Sequence, residues 1–254
     1  MVTVQEIYDF LDKIAPFKTA MDFDNVGLLV GNCNSKVSKA LISLDITKEV
    51  CDEAKELGAE LIISHHPIIF KPIKNLKFDD VITNLIKNNI NAICAHTNLD
   101  VSAEGVNFQL AQKLSLSDLS PLTYEENQPM GLIGDLPREM SCTECAKFVK
   151  KNLSCDGIRY TNTNTKIKKV AVCSGSGGCF INETYEKQAD AFVTGEIKHS
   201  DILKANHFGV MVVDVGHYKS ENVIVEPLKD MLSKQFKQIK FFTSKKFTDK
   251  IKYL

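Results

Sequence analysis

Two adjacent histidines, His65 and His66, close the apolar run Leu61-Ile62-Ile63-Ser64 and lead into Pro67. A second run, Ala92-Ile93-Cys94-Ala95, ends at His96, with Asp100 four residues further on. A third, Val210-Met211-Val212-Val213, is followed by His217 and, at the same spacing, Glu221. Four of the six histidines therefore stand at the ends of strand-like apolar runs. Strand ends in α/β proteins are where ligand sites are built. Imidazole gathered there with carboxylate is the donor set of a metal centre. Residues four apart share a face if the segment is helical, which suits both His217 with Glu221 and His96 with Asp100. Pro67 restricts His66 to an extended conformation and so helps to aim its ring. A pair of divalent ions ~3.5–4 Å apart takes a few protein ligands each and commonly a bridging carboxylate. Such a pair carries more positive charge than two carboxylates remove. The excess attracts anionic oxygen and lowers the pKa of bound water toward ~7, giving a nucleophile at neutral pH.

Each of these residues has a plainer reading. A single strand-end histidine is commonly a hydrogen-bonded structural group. Asp100 would serve as a cap for a helix beginning near Glu104, and Glu221 as a first-turn acid complementing a helix dipole. It is the coincidence of all of them at strand ends that favours a site. His207 lies in a helix-to-strand connection without a partner motif and reads as structural. Cys94 reads as an inert core thiol.

The elements that must position these side chains follow from the patterning. Thr3-Val4-Gln5-Glu6 is a capping-box pattern ahead of a helix with apolar residues at Ile7, Phe10, Leu11 and Ile14, stopped by Pro16. Residues 40–44, 61–64 and 90–95 read as strands, with helices over 48–57 and 80–87 between them. The same grammar returns after a polar stretch over 121–137. Helices are expected over 141–151, 182–188 and 200–206, and strands over 169–173, 191–194 and 210–213. Alternation of this kind implies βαβ units and largely parallel sheets. Ala59-Glu60-Leu61-Ile62-Ile63-Ser64-His65-His66 parallels Ala189-Asp190-Ala191-Phe192-Val193-Thr194-Gly195-Glu196. The fold class is thus α/β, with two similar lobes, mixed but largely parallel sheets, and the metal site in the cleft between them. The lobes are expected over 1–125, completed by 222–254, and over 126–221. The lysine-rich tail reads as a helix ending near Gln238 and then an edge strand with a solvated face.

Composition narrows the field. A chain of 254 residues with 44% hydrophobic and 25% charged residues is an ordinary globular protein with room for one large domain or two small ones. A net charge of −1 supplies no field for nucleic acid or an anionic membrane. No apolar stretch approaches a membrane span, the start of the chain is amphipathic, and the cysteines, most of them in apolar or helical runs, read as those of a reducing cytoplasm. Eight cysteines in this length do not make a disulfide scaffold. Cys142-Thr-Glu-Cys145 lacks the second pair of a structural zinc site and reads as two helix cysteines behind Ser141. Ser174-Gly-Ser-Gly-Gly178 is either a weak anion-binding loop or, more simply, a strand-to-helix turn.

Assembled, these motifs resemble the Nif-three-like family, whose members are known as GTP cyclohydrolase type-two homologues. The resemblance rests on Asp24-Asn-Val-Gly27 with Gly31, Leu44-Asp-Ile-Thr47, Ser64-His-His-Pro67, His96-Thr-Asn-Leu-Asp100, Gly195-Glu196 and Gly216-His-Tyr-Lys-Ser-Glu221. It implies a dinuclear metal site with His65 and His66 on one ion each, Asp100 on one ion, His217 on the other, and Glu221 bridging. It places His96, Glu196 and His199 as supporting or substrate-side groups. It also implies a ring-shaped homohexamer, and the chain matches the short form that lacks a central insertion.

The leading functional expectation is a dinuclear-metal-dependent hydrolase of a nucleotide-like substrate, with GTP ring opening suggested by the family alone. Two alternatives stand beside it: a protein that binds and delivers divalent metal, and a metal-stabilised interaction scaffold. Histidine with carboxylate suits two divalent ions of Zn, Fe, Mn, Co or Ni without choosing among them.

Overall fold

The computed structural model describes residues 1–254. It divides into two compact units, residues 1–103 with 225–248 and residues 104–224 with 249–254. No helix is long and apolar enough to cross a membrane.

The first unit is built on a five-stranded sheet. Its strand order is Lys240–Thr243, Lys39–Ser43, Leu61–Ser64, Asn91–Cys94 and Gly27–Val30. The first four run parallel, and Gly27–Val30 closes the edge antiparallel to Asn91–Cys94. Every residue of Leu61–Ser64 and Asn91–Cys94 is buried, as expected of central parallel strands covered on both faces. That double burial is why these strands read as unbroken apolar runs. The helix Val4–Ile14 carries the expected capping box between Thr3 and Glu6. Lys48–Leu57 is capped by Thr47 and ends at Gly58 in the left-handed region. Lys240–Thr243 is an edge strand, as the alternation of the tail suggests, and pairs parallel to Lys39–Ser43.

The second unit holds a six-stranded sheet in the order Ser117–Glu125, Gln128–Ser141, Lys166–Cys173, Ala191–Thr194, Met211–Asp214 and Arg159–Tyr160. Lys166–Cys173, Ala191–Thr194 and Met211–Asp214 run parallel, and the flanking strands pair antiparallel. Two apolar clusters take alternate residues of these strands. Val170, Val172, Val193 and Met211 join one cluster, whereas Ala171, Cys173, Phe192 and Val212 join the other. This period-two division shows a sheet buried on both faces.

The internal similarity read from the sequence has a structural counterpart. Leu61–Ser64 and Ala191–Thr194 are each flanked by two parallel neighbours. At matching positions Glu60 and Asp190 accept backbone N–H groups of the neighbouring parallel strand, at its start for Glu60 and within it for Asp190. Glu60 Oε2 takes Ser38 N at 3.1 Å and Lys39 N at 2.9 Å, and Asp190 Oδ2 takes Lys168 N at 2.9 Å and Lys169 N at 2.8 Å.

Several boundaries differ from expectation. Residues 104–125, read as part of the first lobe, belong to the second unit. Leu110, Ala111, Leu114 and Leu116 pack into its core, and that packing, not chain order, decides membership. Residues 222–224 and 249–254 join the second unit as well. The polar stretch over 121–137 is not a connection but most of a long hairpin, Ser117–Glu125 with Gln128–Ser141. Its turn is Glu126-Asn127, both at positive φ, the geometry of a two-residue hairpin loop without the usual glycine. Asp100 does not cap a following helix, because the helix Val106–Lys113 begins behind Gly105. Glu221 ends the short helix His217–Glu221 instead of opening one. Cys142 and Cys145 are buried and free in the helix Cys142–Asn152, whose capping box is Ser141 with Glu144.

Candidate metal centre

In the first unit the parallel sheet continues past its strand ends. His65 N bonds to Ser43 O at 3.2 Å and His66 N to Leu44 O at 2.8 Å, so the two histidines leave the strand on a fixed backbone. The Ser64 hydroxyl holds His66 O at 2.8 Å. His65 is only 2% exposed. Its Nδ1 lies 3.0 Å from Ala95 O. A carbonyl can only accept, so Nδ1 carries a proton and, in the neutral ring, Nε2 keeps its lone pair. Asp100 Oδ1 stands 3.6 Å from that Nε2.

His66 and His96 are held in the same way by carboxylates. His66 Nδ1 is 2.9 Å from Asp45 Oδ2, and His96 Nδ1 is 2.9 Å from Asp24 Oδ1. Asp24 also accepts from the Thr97 hydroxyl at 2.6 Å and Thr97 N at 3.1 Å. Burial raises the Asp24 pKa, but the His96 and Thr97 hydrogen bonds outweigh it and hold the carboxyl at about 2. The ring centroids of His65, His66 and His96 are 5.0 to 5.5 Å apart. One nitrogen from each of the three falls within 4.8 Å of the others. His96, expected as a supporting group, thus sits inside the imidazole cluster itself.

In the second unit, Gly216 takes a positive φ of 83° and starts the short helix that carries His217 and Glu221 on one face. His217 Nε2 is 3.0 Å from Glu221 Oε2, and His217 Nδ1 is 3.0 Å from Glu196 Oε1. Glu196 accepts a 2.6 Å hydrogen bond from the Ser176 hydroxyl. That bond is the leading reason its pKa lies below the ordinary value; burial opposes it and the nearby His217 adds to it. Glu221 is 4% exposed.

The glycine loop has a geometric reason here. A Cβ on Gly175 would lie 2.4 Å from Glu221 Oε1, and Gly175 has a φ of +58° that favours glycine. The Ser220 hydroxyl accepts from Gly175 N at 3.0 Å and donates to His217 O at 2.8 Å, tying the loop to the helix. His199 is exposed at the start of the helix His199–His207 and does not join the imidazole cluster.

The arrangement fits a divalent metal. In each of four imidazoles, Nδ1 is engaged by an oxygen acceptor, from Ala95, Asp45, Asp24 and Glu196 respectively. This carboxylate– or carbonyl–histidine pattern sets the tautomer that leaves Nε2 as a ligand atom. Nothing in the local pattern marks Asp24 or Asp45 as a partner of a histidine, although both fall inside motifs that carry the family resemblance.

Comparison with known proteins agrees with this reading of the motifs. The Duf34/NIF3 (NGG1p interacting factor 3) family matches residues 2–250. The chain belongs to the Duf34/NIF3 family. A Clostridium perfringens member described as a GTP cyclohydrolase 1 type 2 homolog is 33% identical over 262 residues, covering 99% of each chain. A Staphylococcus epidermidis homologue with the same description is 30% identical and covers 98% of this chain and 99% of its own. That alignment runs to 364 positions, so the longer NIF3 protein carries a segment that this short form lacks. A solved Staphylococcus aureus structure superposes with a TM-score of 0.93 at 32% identity over 99% of each chain.

Proposed function

We propose that this NIF3-family protein is a hydrolase that uses two divalent metal ions on a nucleotide-like substrate. His65, His66, Asp100, His217 and Glu221 would be the ligands. The observation that carries the reading is the set of four oriented imidazoles, each with Nδ1 engaged by an oxygen. Metal ions held by such a set supply Lewis acidity and concentrated positive charge.

The chain's own residues do the rest. Ala95 O and Asp45 fix the rings of His65 and His66, so that little reorganisation is needed when a ligand binds. Glu196 orients His217 and is itself steadied by Ser176. Asp24 accepts from His96 Nδ1, which in the neutral ring leaves Nε2 free to accept a hydrogen bond or bind metal. The nucleotide class comes from the description of the curated relatives as GTP cyclohydrolase 1 type 2 homologs. The ring-shaped homohexamer and the cytoplasmic location are part of the same proposal.

A second reading, metal holding and delivery, is favoured by the charges around the imidazoles. Asp24, Asp45, Asp100, Glu196 and Glu221, which pair with them, are all acids. Acids attract a cation more readily than an anionic substrate.

Metal content per chain, measured by mass spectrometry on protein purified without added metal or chelator, tests both readings. Two ions per chain, reduced in His66→Ala and Glu221→Gln, are expected. The hydrolase reading further expects Glu221→Gln to lose turnover of GTP or another nucleotide. Turnover retained by that variant overturns the mechanism. Reversible loading with no turnover of any nucleotide decides for delivery.

A further inference from the structure

A cavity of about 420 Å³ opens within the first unit beside His66. This is the size range of small-molecule sites. Its walls are mixed: Ile46, Ile68, Ile73, Leu76 and Ile82 supply apolar surface, and polar groups supply nearly as much. Its polar groups besides His66 are Asp45, Asn75 and Asp80, and neither lysine nor arginine lines it. Lys71, Lys74 and Lys77 lie on the same connection but are exposed and stay outside the lining.

The two acids are only partly engaged. Asp45 meets His66 through Oδ2 and its side chain remains 38% exposed. Asp80 uses Oδ2 for the backbone N–H of Lys77, at 2.7 Å, and makes no side-chain cap to the helix Val81–Lys87 that it precedes. Each therefore keeps Oδ1 as an acceptor. A carboxylate accepts and never donates when ionised, so it selects ligands rich in N–H groups and rejects phosphate and other anions. Apolar side chains interleaved with acceptors suit a flat heterocycle, whose faces are apolar and whose edge carries the donors.

We propose that this cavity receives the N–H-bearing heterocycle of the substrate and turns away its anionic part, which must lie elsewhere. The proposal rests on the hydrolase reading, and it adds the place, the charge and the donor pattern of the substrate. A guanine edge, with adjacent N1–H and N2–H donors, fits these acceptors. An adenine edge, which places a ring acceptor beside a single amino group, fits them less well.

Calorimetric titration of the full chain with guanosine and with adenosine tests the assignment, with metal content measured on the same samples. Guanosine is expected to bind the wild-type chain more tightly than adenosine. Asp80→Lys should weaken guanosine by about tenfold, the loss expected for a hydrogen bond to a charged group. The same variant should strengthen inorganic phosphate and keep its metal. Ile68→Trp, which fills the cavity, should weaken both nucleosides while metal content stays unchanged.

Equal guanosine affinity in wild type, Asp80→Lys and Ile68→Trp overturns the proposal, as does a metal-loaded wild-type chain that binds no guanosine. If Ile68→Trp fails to fold, Asp80→Lys alone decides. Loss of metal without loss of guanosine binding would count against the hydrolase reading and leave this pocket standing.

Discussion

Glu60 shows how one side chain can carry a share of the fold. Its carboxylate takes two backbone N–H groups and the Ser38 hydroxyl, the last at 2.8 Å. Burial raises its pKa, and these hydrogen bonds outweigh it, so the folded value lies below the ordinary one. A depressed folded pKa gives stability that is present above the unfolded pKa and is lost as pH falls through the folded value. Glu60→Gln should therefore cost about 1 kcal/mol at neutral pH, and the gap to wild type should close as the pH falls below 4 or so. Denaturant melts of both proteins across that range read this directly. The thiols offer a second check at this scale. Burial pushes Cys51 and Cys145 up to about 12, and Cys94 higher still, whereas Cys33 is exposed. Iodoacetamide at pH 8 should label Cys33 in the native chain and reach Cys51, Cys94 and Cys145 only on unfolding. Peptide mapping that found Cys94 labelled early would show that the strand beneath the imidazole cluster opens readily.

Individual elements aim the candidate ligands. Parallel strands that end side by side release His65, His66 and His96 at one edge of one sheet, and a single helical turn pairs His217 with Glu221. The loop from Ser174 to Gly178 acts through its shape, because Gly175 leaves space that the Glu221 carboxylate occupies. Gly175→Ala should therefore displace Glu221 and reduce bound metal. Its cost to folding should be on the order of 1–3 kcal/mol, from a left-handed backbone and a blocked carboxylate. Normal metal content in that variant would show that Glu221 is not held against the loop. The hairpin over 117–141 shows the limits of local patterning. Its polar and glycine residues read as a connection, yet its pairing with Lys166–Cys173 completes the second sheet. Long-range hydrogen bonds made that strand, and they leave little trace in a short window.

At the scale of the molecule, the proposed ligands come from distant parts of the chain, so bound metal would couple to stability. A ligand that binds only the folded state adds RT ln(1 + [L]/Kd), about 4 kcal/mol at a thousandfold excess over Kd. Chelation should lower the midpoint of thermal unfolding by on the order of 10 °C for a chain of this size. Return of metal should restore it. A midpoint unmoved by chelator in protein that had carried metal would mean that the ions contribute nothing to folding, contrary to a site whose ligands fold into place with the sheets.

What the sequence determined by itself was local: helix caps, the apolar runs of buried parallel strands, and histidines standing at their ends with acids one helical turn away. The family was legible for the same reason, since its motifs are short and contiguous. Only the tertiary structure decided what holds each ring. Ala95 is 30 residues from His65, Asp45 is 21 from His66, and Asp24 is 72 from His96. It also decided that residues 104–125 pack with the second unit and that the glycine loop makes room for Glu221. Spacing along a chain governs which side chains share a face of one strand or helix. Partners across a sheet are chosen by burial and hydrogen-bond satisfaction over the whole fold, which no short window contains.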